Sequence, residues 1–282
     1  MRCLGGQIVH LKWFHVRDFQ SVRDSGRILV SEITCLVGKN EAGKSTLLKA
    51  LYRLNPVIPA EGNFDVTNDY PRMDVEDYRH EVESGKRQIA VPIEACYELD
   101  ADELAAIAEM FGAGSVAKPQ IIFAKNYDNK TTYTFAADNQ KGIEHLIGKA
   151  DLSEQTREAL KGIALTADAL TPVLQAQEQT AEVTRIVAVL AEVKRYSVSG
   201  YIYVHILTPR RPQYLYFDEY YQMTGHENIE ALITREGNGQ LKPSDHPLLG
   251  LVRLARLKLP ELINPASHCT RLVIESAKRA MA

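Results

Sequence analysis

The chain has 282 residues, 45% of them hydrophobic and 24% charged, with 33 Lys and Arg against 36 Asp and Glu for a net charge of −3. That balance is ordinary for a globular protein, and it excludes a bulk positive field that would draw the whole molecule onto nucleic acid or an acidic membrane. The length predicts about two domains, or one large domain with an insertion. No apolar run approaches the ~20 residues of a membrane span, and the start lacks the apolar region of a secretory signal. Cys3, Cys35, Cys96 and Cys269 lie far apart and form no CxxC pair, so neither a zinc knuckle nor a disulfide framework is expected. A cytoplasmic protein with reduced thiols fits these features.

In chain order, the first strong signal is Arg27–Val37, rich in β-branched and apolar residues and predicted to be a strand entering the sheet core. It runs into Gly38, Lys39, Asn40, Glu41, Ala42, Gly43, Lys44 and Ser45, which fit the phosphate-loop pattern GxxxxGK[ST] without a mismatch. Average residue frequencies produce such a match in roughly one chain in a hundred of this length. Behind the loop, Leu47, Leu48, Leu51 and Leu54 recur at helical spacing until Asn55-Pro56 stops the helix. Strand, glycine loop and helix are the context that the motif requires.

The residue types explain the chemistry. Gly38 and Gly43 admit backbone angles and a close approach that a Cβ would block. Successive N–H groups can then form a nest for a β-phosphate at the positive end of the following helix. Lys44 reaches β- and γ-phosphate oxygens as a compact charge, and the Ser45 hydroxyl is a Mg²⁺ ligand. Thr46 is placed for the α-phosphate, or is simply a residue of the first helical turn. Residues 38–46 are therefore expected to bind ATP with Mg²⁺.

With Asn40 at its third position, the run GKNEAGKST resembles the loops of OLD, RecF and SMC ATPases. His10–Val16 and Arg17–Ser21 look like the two-strand opening, with a basic-aromatic element, that precedes the loop in that group. Leu47–Pro56 is similar to its helix ending, and Asp69–Arg72 and Tyr214–Tyr220 are fainter likenesses to OLD-type ATPase segments. The resemblance is carried by residues 1–56. It implies an α/β fold: a P-loop NTPase of the ABC/SMC-like class, with a mixed sheet, antiparallel N-terminal strands and a helical insertion. It also implies ATP sandwiched between two heads, so that a homodimer or a partner ATPase head faces the loop. Many members of these families act on DNA, and OLD proteins add a C-terminal Toprim nuclease.

Further along, Gln88–Leu99 predicts a strand with Pro92 at an edge or bulge, and Asp100–Gly112 an amphipathic helix with an acidic start and a glycine stop. Pro119–Lys125 and Lys130–Phe135 flank Asn126–Asn129 as a hairpin. From residue 151 the pattern turns helical, first over Ser153–Lys161 before Gly162. A longer helix is expected from a Thr171 cap with Pro172 at its first position up to Tyr196, either an arm or an ordinary packed helix. The expected division is an N-terminal ATPase lobe over 1–150 and a helical arm over 151–282, with a short strand near 214–219. Seven tyrosines between 196 and 221, beside Arg210 and Arg211, admit base stacking in a local DNA-binding patch, or half-buried strand positions. A proline-punctuated helical segment follows residue 243, and a last helix is expected through Leu272–Ile274.

Hydrolysis requires a carboxylate that holds Mg²⁺ and a group that positions water. Tyr214–Glu219 has the hhhhDE shape of a Walker B strand, which makes Asp218 and Glu219 the catalytic candidates by pattern; a plain sheet strand is the alternative. Ser197-Val198-Ser199-Gly200 stands where an ABC signature belongs and matches it poorly. No D-loop or switch histidine follows in order. The second half of the ATPase core, and any Toprim domain, is accordingly expected outside this chain. The function expected is an OLD/RecF-like ATPase head that hydrolyses ATP only when completed and dimerised, in a DNA-associated or defence role. The alternative is a nucleotide-sensing subunit without turnover that assembles with a partner protein. A GTPase or kinase fits less well, because Lys125–Asp128 departs from [NT]KxD and Arg210-Arg211 does not make a lid.

Overall fold

The computed structural model describes residues 10–39, 43–217, 227–242, 244–255 and 257–263. Strands β1 (His10–Phe19) and β2 (Val22–Leu29) form a hairpin, followed by helix α1 (Lys44–Leu54) and two short helices, α2 (Val66–Asp69) and α3 (Val75–Glu83). Strand β3 (Ile93–Glu98), helix α4 (Ala101–Phe111) and the hairpin β4 (Gln120–Lys125) and β5 (Thr131–Thr134) complete the sheet region. Helices α5 (Asn139–Lys149), α6 (Glu154–Leu160), α7 (Ala167–Gln175) and α8 (Ala181–Ile202) come next, and α9 (Ile229–Gly237) and α10 (Asp245–Leu254) lie towards the end.

The five strands pair in the order β2-β1-β3-β4-β5, and every pairing between them is antiparallel. The expected mixed sheet is therefore corrected to an antiparallel one among the described residues. The period-two alternation places Ile93, Ala95 and Tyr97 of β3 with Ile121 and Phe123 of β4 on one buried face. The other face carries charge, including the Lys12–Glu98 pair at 2.6 Å and Arg17–Glu94 at 3.7 Å. A sheet with one packed and one polar face is the usual antiparallel solution. Pro92 lies just before β3, where its missing N–H breaks no ladder, and its carbonyl accepts the Arg17 N–H at 3.1 Å.

Local chemistry sets the element ends. Asp100 and Glu103 form a reciprocal capping box at the start of α4, and Gly112 ends that helix at φ 81°. Asn129, at φ 62°, closes the expected β4–β5 turn, and Gly162, at φ 79°, follows α6. The single long helix expected from Thr171 is instead two. Thr166 caps α7, Pro172 lies inside it, and Thr180 caps α8 through the Val183 N–H at 3.2 Å. Within α8 the helix breaks at Ser197 (φ 66°, ψ 171°) and restarts.

One hydrophobic core runs from the strands through α4, α5, α7 and α8 to Leu207. Helices α7 and α8 thus share the core of the sheet, and α8 is a packed helix rather than an arm. Leu232, Leu249, Val252 and Leu259 make a separate small cluster. The helix expected through Leu272–Ile274 lies outside the described residues. Among the described residues, no helix is long and apolar enough to cross a membrane.

Candidate functional site

The phosphate loop leads into α1, which lies against the packed face of the sheet. Gly43 is the residue before the helix, at φ 79°, and a Cβ there would stand 3.1 Å from Val22 Cγ2. Glycine is required twice over at this position, by a left-handed backbone and by the close approach of β2. The first helical bond runs from Leu47 N to Gly43 O at 3.0 Å, and the N–H groups of the turn before it are free of intrahelical partners, as at any helix start.

Lys44 folds back across the loop, and its ammonium donates to Gly38 O at 2.8 Å and to Lys39 O at 2.6 Å. The charge is thereby held inside the loop at the positive end of α1, where phosphate oxygens could replace the two carbonyls as acceptors. Ser45 is exposed, so its hydroxyl is open to a metal ion and water. Thr46 donates to the Gln20 amide oxygen at 3.3 Å, a long contact that a phosphate oxygen could outcompete. Gln20 belongs to the β1–β2 turn, where Asp18 (φ 44°) and Gln20 (φ 52°) hold left-handed angles that non-glycine residues rarely adopt. The turn is pinned from outside, since Gln20 N donates to Asp69 O at 2.5 Å and the Tyr127 hydroxyl donates to Asp18 O at 2.5 Å. Of the residues singled out by sequence, Gly38, Lys39, Gly43, Lys44, Ser45 and Thr46 are brought together here; Asn40, Glu41 and Ala42 lie outside the described residues.

The family model for the AAA ATPase domain matches residues 10–175, more than half of the chain and the whole region just described. The chain belongs to the AAA ATPase domain family. No curated protein matches it.

In this AAA ATPase domain the segment before the loop differs from expectation. Residues 27–29 belong to β2, and Val30 N still reaches Lys12 O at 2.9 Å, but residues 31–39 pair with no strand among those described. The Ser31 N–H donates to the Thr34 hydroxyl and the Ser31 hydroxyl to Ile33 O instead, in a local turn. Ile33 and Val37 are about nine-tenths exposed, at 89% and 90%. The alternation of apolar residues is real, but among the described residues no second strand stands beside it to bury them.

The strand expected near 214–219 is reduced to one parallel bridge, Pro56–Tyr214, with Val57 N donating to Tyr214 O at 2.9 Å. Residues 215–217 form no strand, and Asp218 and Glu219 lie outside the described residues. The approach to them runs beside the C-terminal half of α1, where the Tyr216 ring lies 5.9 Å from that of Tyr52. The loop is at the other end of that helix. The signature-like Ser197–Gly200 starts the second part of α8 but faces inward. Val198 is buried and its N–H goes to Asn139 Oδ1 at 2.9 Å, while the Ser199 hydroxyl accepts from Ala137 N at 2.9 Å. It has no free N-terminus to offer a phosphate. Tyr201, Tyr203 and Tyr214 are interior contacts, with Tyr203 stacked on Tyr133 at 3.6 Å and Tyr214 bonded to Tyr97, and they leave little for base stacking.

Sequence reasoning missed a group around α1 that has no local signature. Arg53 pairs with the buried Asp69, and Lys125 is a buried cation. Burial pushes the Lys125 amine down to about 8, with Arg211 and Arg53 acting in the same direction.

Proposed function

We propose that this protein is an ATP-binding P-loop ATPase head of the OLD/RecF-like type, in which Mg²⁺-ATP occupies residues 38–46. The observation that carries the reading is the Lys44 ammonium held inside the loop at the N-terminus of α1, behind a glycine that no other residue can replace without strain. The residues present fit the ligand. Gly43 keeps the cradle open, Lys44 supplies the charge that neutralises β- and γ-oxygens, and the exposed Ser45 hydroxyl would ligate the ion. Magnesium, when bound, supplies the charge that draws electrons towards the leaving phosphate.

Hydrolysis is proposed to await completion of the head. Ile33, Val37 and Leu48, which flank the loop in sequence, are exposed among the described residues, as suits a surface covered by further sheet or by a facing head. A homodimer or a partner ATPase head would supply the facing groups, and a DNA-associated or defence role follows the same resemblance; the widely spaced cysteines suit a cytoplasmic protein. A second reading is a nucleotide-sensing subunit without turnover that assembles with a partner protein.

Calorimetry with Mg²⁺-ATP tests the binding. Lys44→Ala should weaken affinity at least tenfold, about 1.4 kcal/mol. Ser45→Ala should reduce the Mg²⁺ dependence more than the affinity for metal-free nucleotide. Equal affinity in wild type and Lys44→Ala would remove Lys44 from the site.

A further inference from the structure

The P-loop helix is held by its tail. Ala50, Tyr52 and Leu54 are buried, whereas Ser45 and Leu48 near its start are exposed. Asn55 ends the helix at φ −156°, ψ 70°, so no left-handed glycine folds the chain back to bond the last carbonyls. Donors from distant parts of the chain take that place. Lys125 Nζ donates to Arg53 O at 3.1 Å and to Gly62 O at 2.7 Å. Arg211 donates to Leu54 O at 2.8 Å, and Tyr214 N to Asn55 O at 2.9 Å. Both cations are seated on aromatic faces, Lys125 over Phe64 at 5.7 Å and Arg211 over Phe123 at 4.7 Å.

We propose that Lys125 and Arg211 are positioning residues for the nucleotide site: by clamping the C-terminal carbonyls of α1 they set where the P-loop stands at its other end. An 11-residue helix is about 16 Å long, so a tilt of a few degrees about the clamp displaces Lys44 by on the order of 1 Å. A shift of that size at a phosphate-binding group is enough to cost affinity. Two positive charges at the C-terminus also oppose the helix dipole there and suppress fraying. The proposal rests on the reading of residues 38–46 as a nucleotide site.

The test combines Lys125→Met with Arg211→Met and Arg211→Lys, each in wild type and in Lys44→Ala. Hydrogen exchange of the α1 amides reports the clamp without nucleotide, and calorimetry reports Mg²⁺-ATP affinity. Lys125→Met and Arg211→Met should speed exchange in α1 but not in β3, and should weaken Mg²⁺-ATP binding about tenfold in wild type. In the Lys44→Ala background the same changes should cost less than twofold, because the clamp acts through the placement of Lys44. Arg211→Lys should restore part of the affinity. Unchanged affinity in a variant whose α1 exchanges faster, or equal losses in both backgrounds, would overturn the proposal. Should Lys125→Met fail to fold, Arg211→Met carries the same comparison. A wild type that binds no ATP would instead sink the functional reading, and the exchange data would stand apart from it.

Discussion

Glu103 illustrates what burial does to a single carboxyl. It is fully buried, its Oε2 accepts the Asp100 N–H at 3.0 Å, and its Oε1 has no hydrogen-bond partner. Burial pushes it from an ordinary value near 4.5 to about 7, and the neighbouring Asp100 charge adds to the rise. The folded state therefore holds this proton more tightly than the unfolded chain. The stability it contributes is complete below about pH 4.5 and is lost as pH rises through about 7. Glu103→Gln keeps an acceptor for the cap and cannot ionise. It should flatten this decline and stabilise the protein at pH 8 by on the order of 1–2 kcal/mol, with little gain at pH 5. Denaturant unfolding at the two pH values checks this, and an equal effect at both would show that Glu103 is not the titrating group. At the loop itself, Gly43→Ala would have to place a Cβ 3.1 Å from Val22 with φ at 79°. It should lower thermal stability and weaken nucleotide binding together, as differential scanning fluorimetry with and without Mg²⁺-ATP would show.

At the scale of elements, capping chemistry rather than apolar spacing sets where the later helices begin. The Thr180 hydroxyl accepts the Val183 N–H at the start of α8, whereas the Thr171 hydroxyl bonds back to Ala167 O at 2.6 Å inside α7. Thr180→Ala should thus cost about 1 kcal/mol, the usual loss of an N-cap, and Thr171→Ala much less. Urea midpoints of the two variants decide between these boundaries, and a larger loss at Thr171 would restore the single long helix. The elements around the P-loop divide in the same way. The helix after the loop is anchored, by burial and by the clamp at its C-terminus, while the segment before it has no strand beside it among the described residues. An apolar stretch with free backbone groups needs a neighbour on both counts.

For the molecule as a whole, binding and turnover make different demands. Binding needs residues 38–46, whereas turnover needs a metal-holding carboxylate, a water-positioning group and a facing surface. The chain by itself should bind ATP and hydrolyse it slowly or not at all. Brisk steady-state turnover abolished by Glu219→Gln would place the catalytic pair within this chain after all. Sedimentation should show self-association, or assembly with a partner head, strengthened by ATP. A strict monomer at high concentration with and without nucleotide would count against a facing head.

The sequence by itself determined the phosphate loop, because GxxxxGK[ST] is a backbone requirement written in two glycines and a lysine at fixed spacing. It likewise determined α4, whose cap and glycine stop are local, and the β4–β5 hairpin, whose turn is marked by Asn126–Asn129. Periodicity alone could not place the break between α7 and α8, since apolar residues on both sides continue the same spacing towards one core. Nor could it tell that residues 31–37 would leave the strand begun by Arg27–Leu29, because a strand needs a neighbouring edge and not merely a strand-like composition. Residues 215–217 show the same limit, for a hydrophobic run becomes a Walker B strand only if the sheet receives it; Asp218 and Glu219 lie outside the described residues. Lys125, Arg211 and Asp69 fall in stretches whose sequence likenesses point to none of the contacts they make. Their roles arise from carbonyls and charges brought within hydrogen-bond reach from across the chain, and only the tertiary structure decides such contacts.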